Sequence, residues 1–149
     1  MFKVRETLAV LERVGEVATL AGLNGGIDEE RMHFAMNFTL DGGRSQSVYV
    51  RNTAKGAQHQ VITVFSPCLV VKKGFFSGLS KEQATDLLKR NENVLFARYG
   101  IWENEKETMV VASVDHLLET LDPDEFKNSA LHVAMAADLY ERQHGGDKF

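Results

Sequence analysis

The sequence predicts an α+β fold, an antiparallel sheet with helices in the order α-β-β-β-α-β-β-α, built as a single domain over residues 1–149. The first observation behind this is a start signal that occurs twice: Ser80 with Gln83 and Asp122 with Glu125, each flanked by apolar residues, so that cap and staple fix where two helices begin. The second is a set of period-two stretches joined by short polar turns, which makes neighbouring strands antiparallel. The third is a length of 149 residues, enough for one core, with no internal repeat, low-complexity tract or Pro/Ser-rich linker to divide it.

Residues 3–21 read as a helix, with Val4, Leu8, Leu11 and Ala18 on one stripe, Val10, Val14, Val17 and Ala21 beside it, and Arg5, Glu12 and Glu16 opposite. Gly22 and then Asn24-Gly25-Gly26 stop it, and these glycines read as turn chemistry. Met32, Phe34, Met36, Phe38 and Leu40 then alternate with polar or small residues, the pattern of a strand buried on one side. Asp41-Gly42-Gly43-Arg44 is a hairpin turn, and Val48 and Val50 return on the next strand with Ser47, Tyr49 and Arg51 on its other face. Beyond the loop at Lys55-Gly56, a third strand runs through Gln60–Ser66, and Pro67 requires it to end, bulge or lie at an edge. A capped helix over 80–91 is expected to bury Ala84, Leu87 and Leu88. A strand through Val94–Glu103, a polar turn at Asn104-Glu105-Lys106 and a strand through Thr108–Val114 follow. The last helix runs from Pro123 to about Gln143, and the Gly145-Gly146 tail is expected to fray.

Composition narrows the function classes. A net charge of -4 with no basic cluster beyond the doublets Lys72-Lys73 and Lys89-Arg90 argues against nucleic acid as a partner. No stretch approaches the roughly 20 apolar residues of a membrane span, so no membrane partner is expected. The single cysteine, Cys68, leaves no intrachain disulfide, and Glu6, Glu12 and Glu16 interrupt the N-terminal apolar residues, unlike a signal peptide; a cytoplasmic protein is expected.

The same reading gives no catalytic residues, no cofactor and no metal. None of the five histidines lies at a ligand spacing from another His or an acidic residue. Cys68, between Pro67 and Leu69-Val70-Val71, reads as a buried strand thiol, which is inert. The residues that point to function are apolar. Phe75 and Phe76 stand in a glycine-flanked loop, where they either anchor a partner or plug the core. On the last helix Phe126, Ala130, Val133, Ala137 and Tyr140 form one stripe, while Leu131, Met135 and Leu139 form a second on the opposite side. A helix covering a sheet needs one stripe, so the second implies a contact with the first helix, a second subunit or a client.

Leu87-Leu88-Lys89-Arg90-Asn91, the run Val94-Leu95-Phe96-Ala97-Arg98-Tyr99-Gly100-Ile101, the polar hairpin and the Leu121-Asp122-Pro123-Asp124-Glu125-Phe126 start of the long last helix resemble the bacterial YbjN family. That family is similar in fold to type III secretion chaperones, and the resemblance is specific over about residues 80–142. It implies a sensory or regulatory protein, or a non-enzymatic, chaperone-like homodimer that binds a protein client; it carries no active-site residue. The alternative expectation is a regulator that senses a small ligand in an apolar pocket between sheet and helices.

Overall fold

A computed structural model describes residues 2–53, 58–74, 78–144, 146 and 148–149. Helix α1 (Phe2–Leu20) leads to strands β1 (Gly25–Asp28), β2 (His33–Thr39), β3 (Ser45–Asn52) and β4 (Val61–Lys72), helix α2 (Lys81–Arg90), strands β5 (Arg98–Glu103) and β6 (Glu107–Leu117), and helix α3 (Pro123–Gln143). Among the described residues these strands form a six-stranded sheet in the order β1-β2-β3-β4-β6-β5, antiparallel throughout. The α+β class and the order of the predicted elements hold, with β1 added.

That addition corrects the turn read at Asn24-Gly25-Gly26. Gly25 pairs with Met36 and Asp28 with His33 in a short edge strand. Glycine is needed at position 25 for close approach: a Cβ there would lie 2.6 Å from Phe34 Cε1 and 2.7 Å from the Ala35 carbonyl oxygen.

Both helix starts form as the sequence dictates. The Gln83 amide donates to Ser80 Oγ at 3.1 Å while the Ser80 amide donates to Gln83 Oε1 at 2.9 Å, a complete capping box. The Glu125 amide donates to Asp122 Oδ1 at 2.8 Å, with Pro123 pre-set in the first turn of α3. From there Phe126, Ala130, Val133, Ala137 and Tyr140 are all fully buried. They share one core with Leu11, Val14 and Val17 of α1 and with Phe34, Met36, Val48, Val50 and Val64 of the sheet. Helix α2 contributes Leu87 to that core, whereas Leu88, expected inside, is 74% exposed because this short helix buries a single narrow side.

Pro67 produces a bulge inside an interior strand. Pairing of β3 with β4 extends no further than Tyr49–Phe65, and side chains then take over: Ser66 Oγ donates to the Ser47 carbonyl at 2.6 Å, and Gln46 Nε2 donates to Ser66 Oγ at 2.8 Å and to the Pro67 carbonyl at 3.1 Å. Against β6 the register slips between Pro67 and Leu69, with Cys68 the extra residue, and the ladder continues to Lys72.

The described residues of the tail, Gly146, Lys148 and Phe149, are tied down where fraying was expected. Gly145 lies outside the described residues, but the Gly146 amide donates to the Glu141 carbonyl at 3.1 Å, and the Gly146 carbonyl accepts from Arg44 Nη2 at 2.8 Å. Glu141 Oε1 accepts from the amides of Lys148 and Phe149, and the Ser47 amide donates to the Phe149 carbonyl at 2.6 Å. Arg44, at the end of the β2–β3 turn, also pairs through Nε with Asp138 Oδ1 of α3 at 2.5 Å.

The three helices lie on one side of the sheet, since residues of each join the same core. The other side carries side chains from alternate positions. Phe65 and Val111 are buried there, outside that core. His33, Tyr49, Phe65 and Trp102 form a row of ring contacts, with Phe65 and Trp102 centroids 4.8 Å apart, and the Arg51 guanidinium lies 3.9 Å from the Trp102 ring centre.

Candidate interaction surface

The second stripe of α3 is open to solvent over most of its length. Met135 is 51% and Leu139 39% exposed, while Leu131 is half-buried. Helix α1 packs beside α3 without covering the first two, so among the described residues no intrachain partner covers Met135 and Leu139. Phe75 and Phe76 lie outside the described residues.

An apolar loop that the sequence reading placed in a strand adjoins this stripe. The Ala97 amide donates to the Leu95 carbonyl at 2.7 Å across Phe96, whose φ is +62°. That is a γ-turn with a bulky residue in the left-handed region, a conformation that costs about 1–3 kcal/mol and persists only where the surroundings impose it. They do so here. Asn91 Oδ1 accepts from the Tyr99 amide at 2.7 Å and Asn91 Nδ2 donates to the Tyr99 carbonyl at 3.1 Å, closing the loop at its base. Arg98 Nη1 donates to the carbonyls of Val94 and Ala97 at 2.8 and 2.6 Å. Strand β5 therefore begins at Arg98, four residues later than Val94.

The strained turn turns Leu95 and Phe96 outward, 66% and 54% exposed. The Phe96 ring sits 4.9 Å from the ring of His132, one helical turn from Met135, so stripe and loop form one apolar face. The polar cluster Asn91-Glu92-Asn93 was the signal in the sequence that a loop, and not a strand, follows the helix.

The polar candidates have ordinary structural roles. Cys68 is buried, and burial pushes its thiol up to about 12, so it is a neutral thiol near neutrality. His116 Nε2 lies 2.8 Å from Ser129 Oγ, and His144 Nδ1 lies 2.8 Å from the Tyr140 carbonyl. Among the described residues no group of three or more His, Cys, Asp and Glu could hold a metal ion, and no helix is long and apolar enough to cross a membrane.

Two of the histidines couple stability to pH. Burial, and then Arg51, lower the pKa of His33; burial lowers that of His116, against the opposing pull of Glu125 and Asp115. Both folded values lie below the ordinary 6.5, so the unfolded chain holds these protons when the folded chain does not. Their contribution is present above that pH and is lost as pH falls through it. Urea midpoints are expected to drop between about pH 7 and 5.5, where ordinary carboxylates stay ionised, and His116→Gln should flatten that slope. A midpoint constant over this range would contradict both assignments.

No protein-family model matches the chain, and neither does any curated protein.

Proposed function

We propose that the chain is a non-enzymatic, chaperone-like or regulatory module of the cytoplasm that holds a protein partner and pairs with a second copy of itself, as its resemblance to the YbjN family and the secretion chaperones implies. The observation that carries this reading is the apolar face of Leu95, Phe96, Met135 and Leu139, held open at the cost of a strained backbone at Phe96. A neutral, buried Cys68 thiol supports the absence of nucleophilic chemistry at that residue. The alternative, a ligand pocket between sheet and helices, has less support, because Val48, Val64, Phe126, Val133 and Tyr140 fill that layer at 0% exposure.

Phe96→Gly tests the reading. Glycine relieves the positive φ while removing the ring, so stability should stay within about 1 kcal/mol of wild type as lost contacts and relieved strain offset each other. Self-association measured by sedimentation equilibrium should weaken. A wild-type protein of single-chain mass at about 50 μM, or a glycine variant that associates as the wild type does, would refute the reading.

A further inference from the structure

The side of the sheet away from the helices holds a second, chemically different site. A surface cavity of about 430 Å³ is lined by Arg51, Trp102, Glu103, Asn104, Glu107 and Met109, a size within the range of small-ligand pockets. Arg51 is the cation of this group. Its guanidinium carbon lies 3.9 Å from the Trp102 ring centre and 5.7 Å from that of Phe65. Its Nε–H is buried without a hydrogen-bond partner among the described residues, although Asp115 is near enough to act on its charge. Asp115 spends one oxygen on Thr63 Oγ1, at 2.6 Å.

A guanidinium held against two rings, with its Nε buried and unpaired among the described residues, attracts an anion, and its planar fork suits a carboxylate. The other lining residues restrict which anion. Glu103 and Glu107 disfavour a dianion such as phosphate, but a single charge is tolerable because Lys73 already pairs with Glu103 at 3.2 Å. The indole of Trp102, the thioether of Met109 and the adjoining rings provide a flat apolar surface that suits an aromatic ring.

We propose that this open sheet face is a binding site for a small aromatic monocarboxylate, its carboxylate taken by Arg51 and its ring laid against Trp102. The site shares no residue with the face on α3, and the two assignments fail separately because one is read by fluorescence and the other by mass.

Trp102 is the protein's one tryptophan, so its emission reports on the site directly. Hydrocinnamate added to the full chain is expected to change that emission saturably, with a Kd of about 1 mM or tighter. Hydrocinnamide, the same ring without the charge, should bind about tenfold more weakly, and inorganic phosphate should not displace the acid. Arg51→Gln should erase the preference for acid over amide, while Arg51→Lys, which keeps the charge but not the fork, should retain part of it. Equal binding of acid and amide by the wild type, no saturable change with the acid, or displacement by phosphate would each overturn the proposal. The wild-type comparison decides the matter even if a variant at Arg51 fails to fold.

Discussion

Asp138→Ala is expected to destabilise the protein by about 3 kcal/mol, roughly 9 °C in Tm, the largest loss from any single polar side chain discussed above. The Asp138 side chain is 8% exposed and its carboxylate accepts from Arg44 Nε at 2.5 Å, and the Arg44 side chain is itself only 20% exposed. Removing the carboxylate takes a close, buried charge partner from a cation that is itself mostly withdrawn from water. Arg44 Nη2 also donates to the Gly146 carbonyl at 2.8 Å, so the carboxylate is one of several groups that meet this cation. The damage would not stay local, because Arg44 links the β2–β3 turn, the last turns of α3 and the returning tail. Replacing both partners, Arg44→Met with Asp138→Leu, should recover part of the loss, since the cation is removed together with the carboxylate that met it. Urea denaturation of the single and double variants measures this, and an Asp138→Ala midpoint matching wild type would remove the ion pair from the account of stability.

Met135→Glu is expected to weaken self-association by about a hundredfold or more while leaving the chain folded. Burying the exposed parts of Leu95, Phe96, Met135 and Leu139 would contribute on the order of 1 kcal/mol each. A two-fold interface counts every residue twice, giving roughly 8 kcal/mol before the entropic cost of association. A carboxylate at Met135 enters such an interface in both copies and has to be desolvated there. In the single chain the position is 51% exposed, so the same charge is tolerated by the monomer. Light scattering with circular dichroism separates the outcomes. An unfolded variant would place Met135 in the chain's own core, and an unchanged mass would place the interface elsewhere.

The local grammar of the sequence was legible. Ser80, Asp122 and Pro123 start helices where they should, and the stripe from Phe126 to Tyr140 is the buried one, because caps and helical periodicity act within one or two turns of chain. Of the second stripe, Met135 and Leu139 could be singled out, but whether the first helix covered them depended on packing that periodicity does not encode. What escaped the reading depends on distant partners. Gly25-Gly26 has the composition of a turn and becomes a strand through pairing with Ala35 and Met36. Leu95 and Phe96 alternate like strand residues, yet Asn91 clamps Tyr99 and expels them into a loop. The Gly145-Gly146 tail carries every local sign of fraying, yet Glu141 and Arg44 hold Gly146, Lys148 and Phe149. The meeting of Phe65 with Trp102 needs β6 to lie between β4 and β5, a strand order that no local pattern specifies.

The same strand order shapes how the chain acquires its structure. The hairpins β2–β3 and β5–β6 each close over short turns, whereas the ladder from Val61–Leu117 to Lys72–Glu107 joins segments separated by α2 and β5. Closing that span costs chain entropy before any of its contacts are made, so this ladder is the natural kinetic bottleneck, with two preformed hairpins waiting to be stitched together. Until they are, Phe65 and Val111 remain apart and their apolar surface stays in water, so a chain whose hairpins are unjoined is more prone to aggregate than the finished sheet.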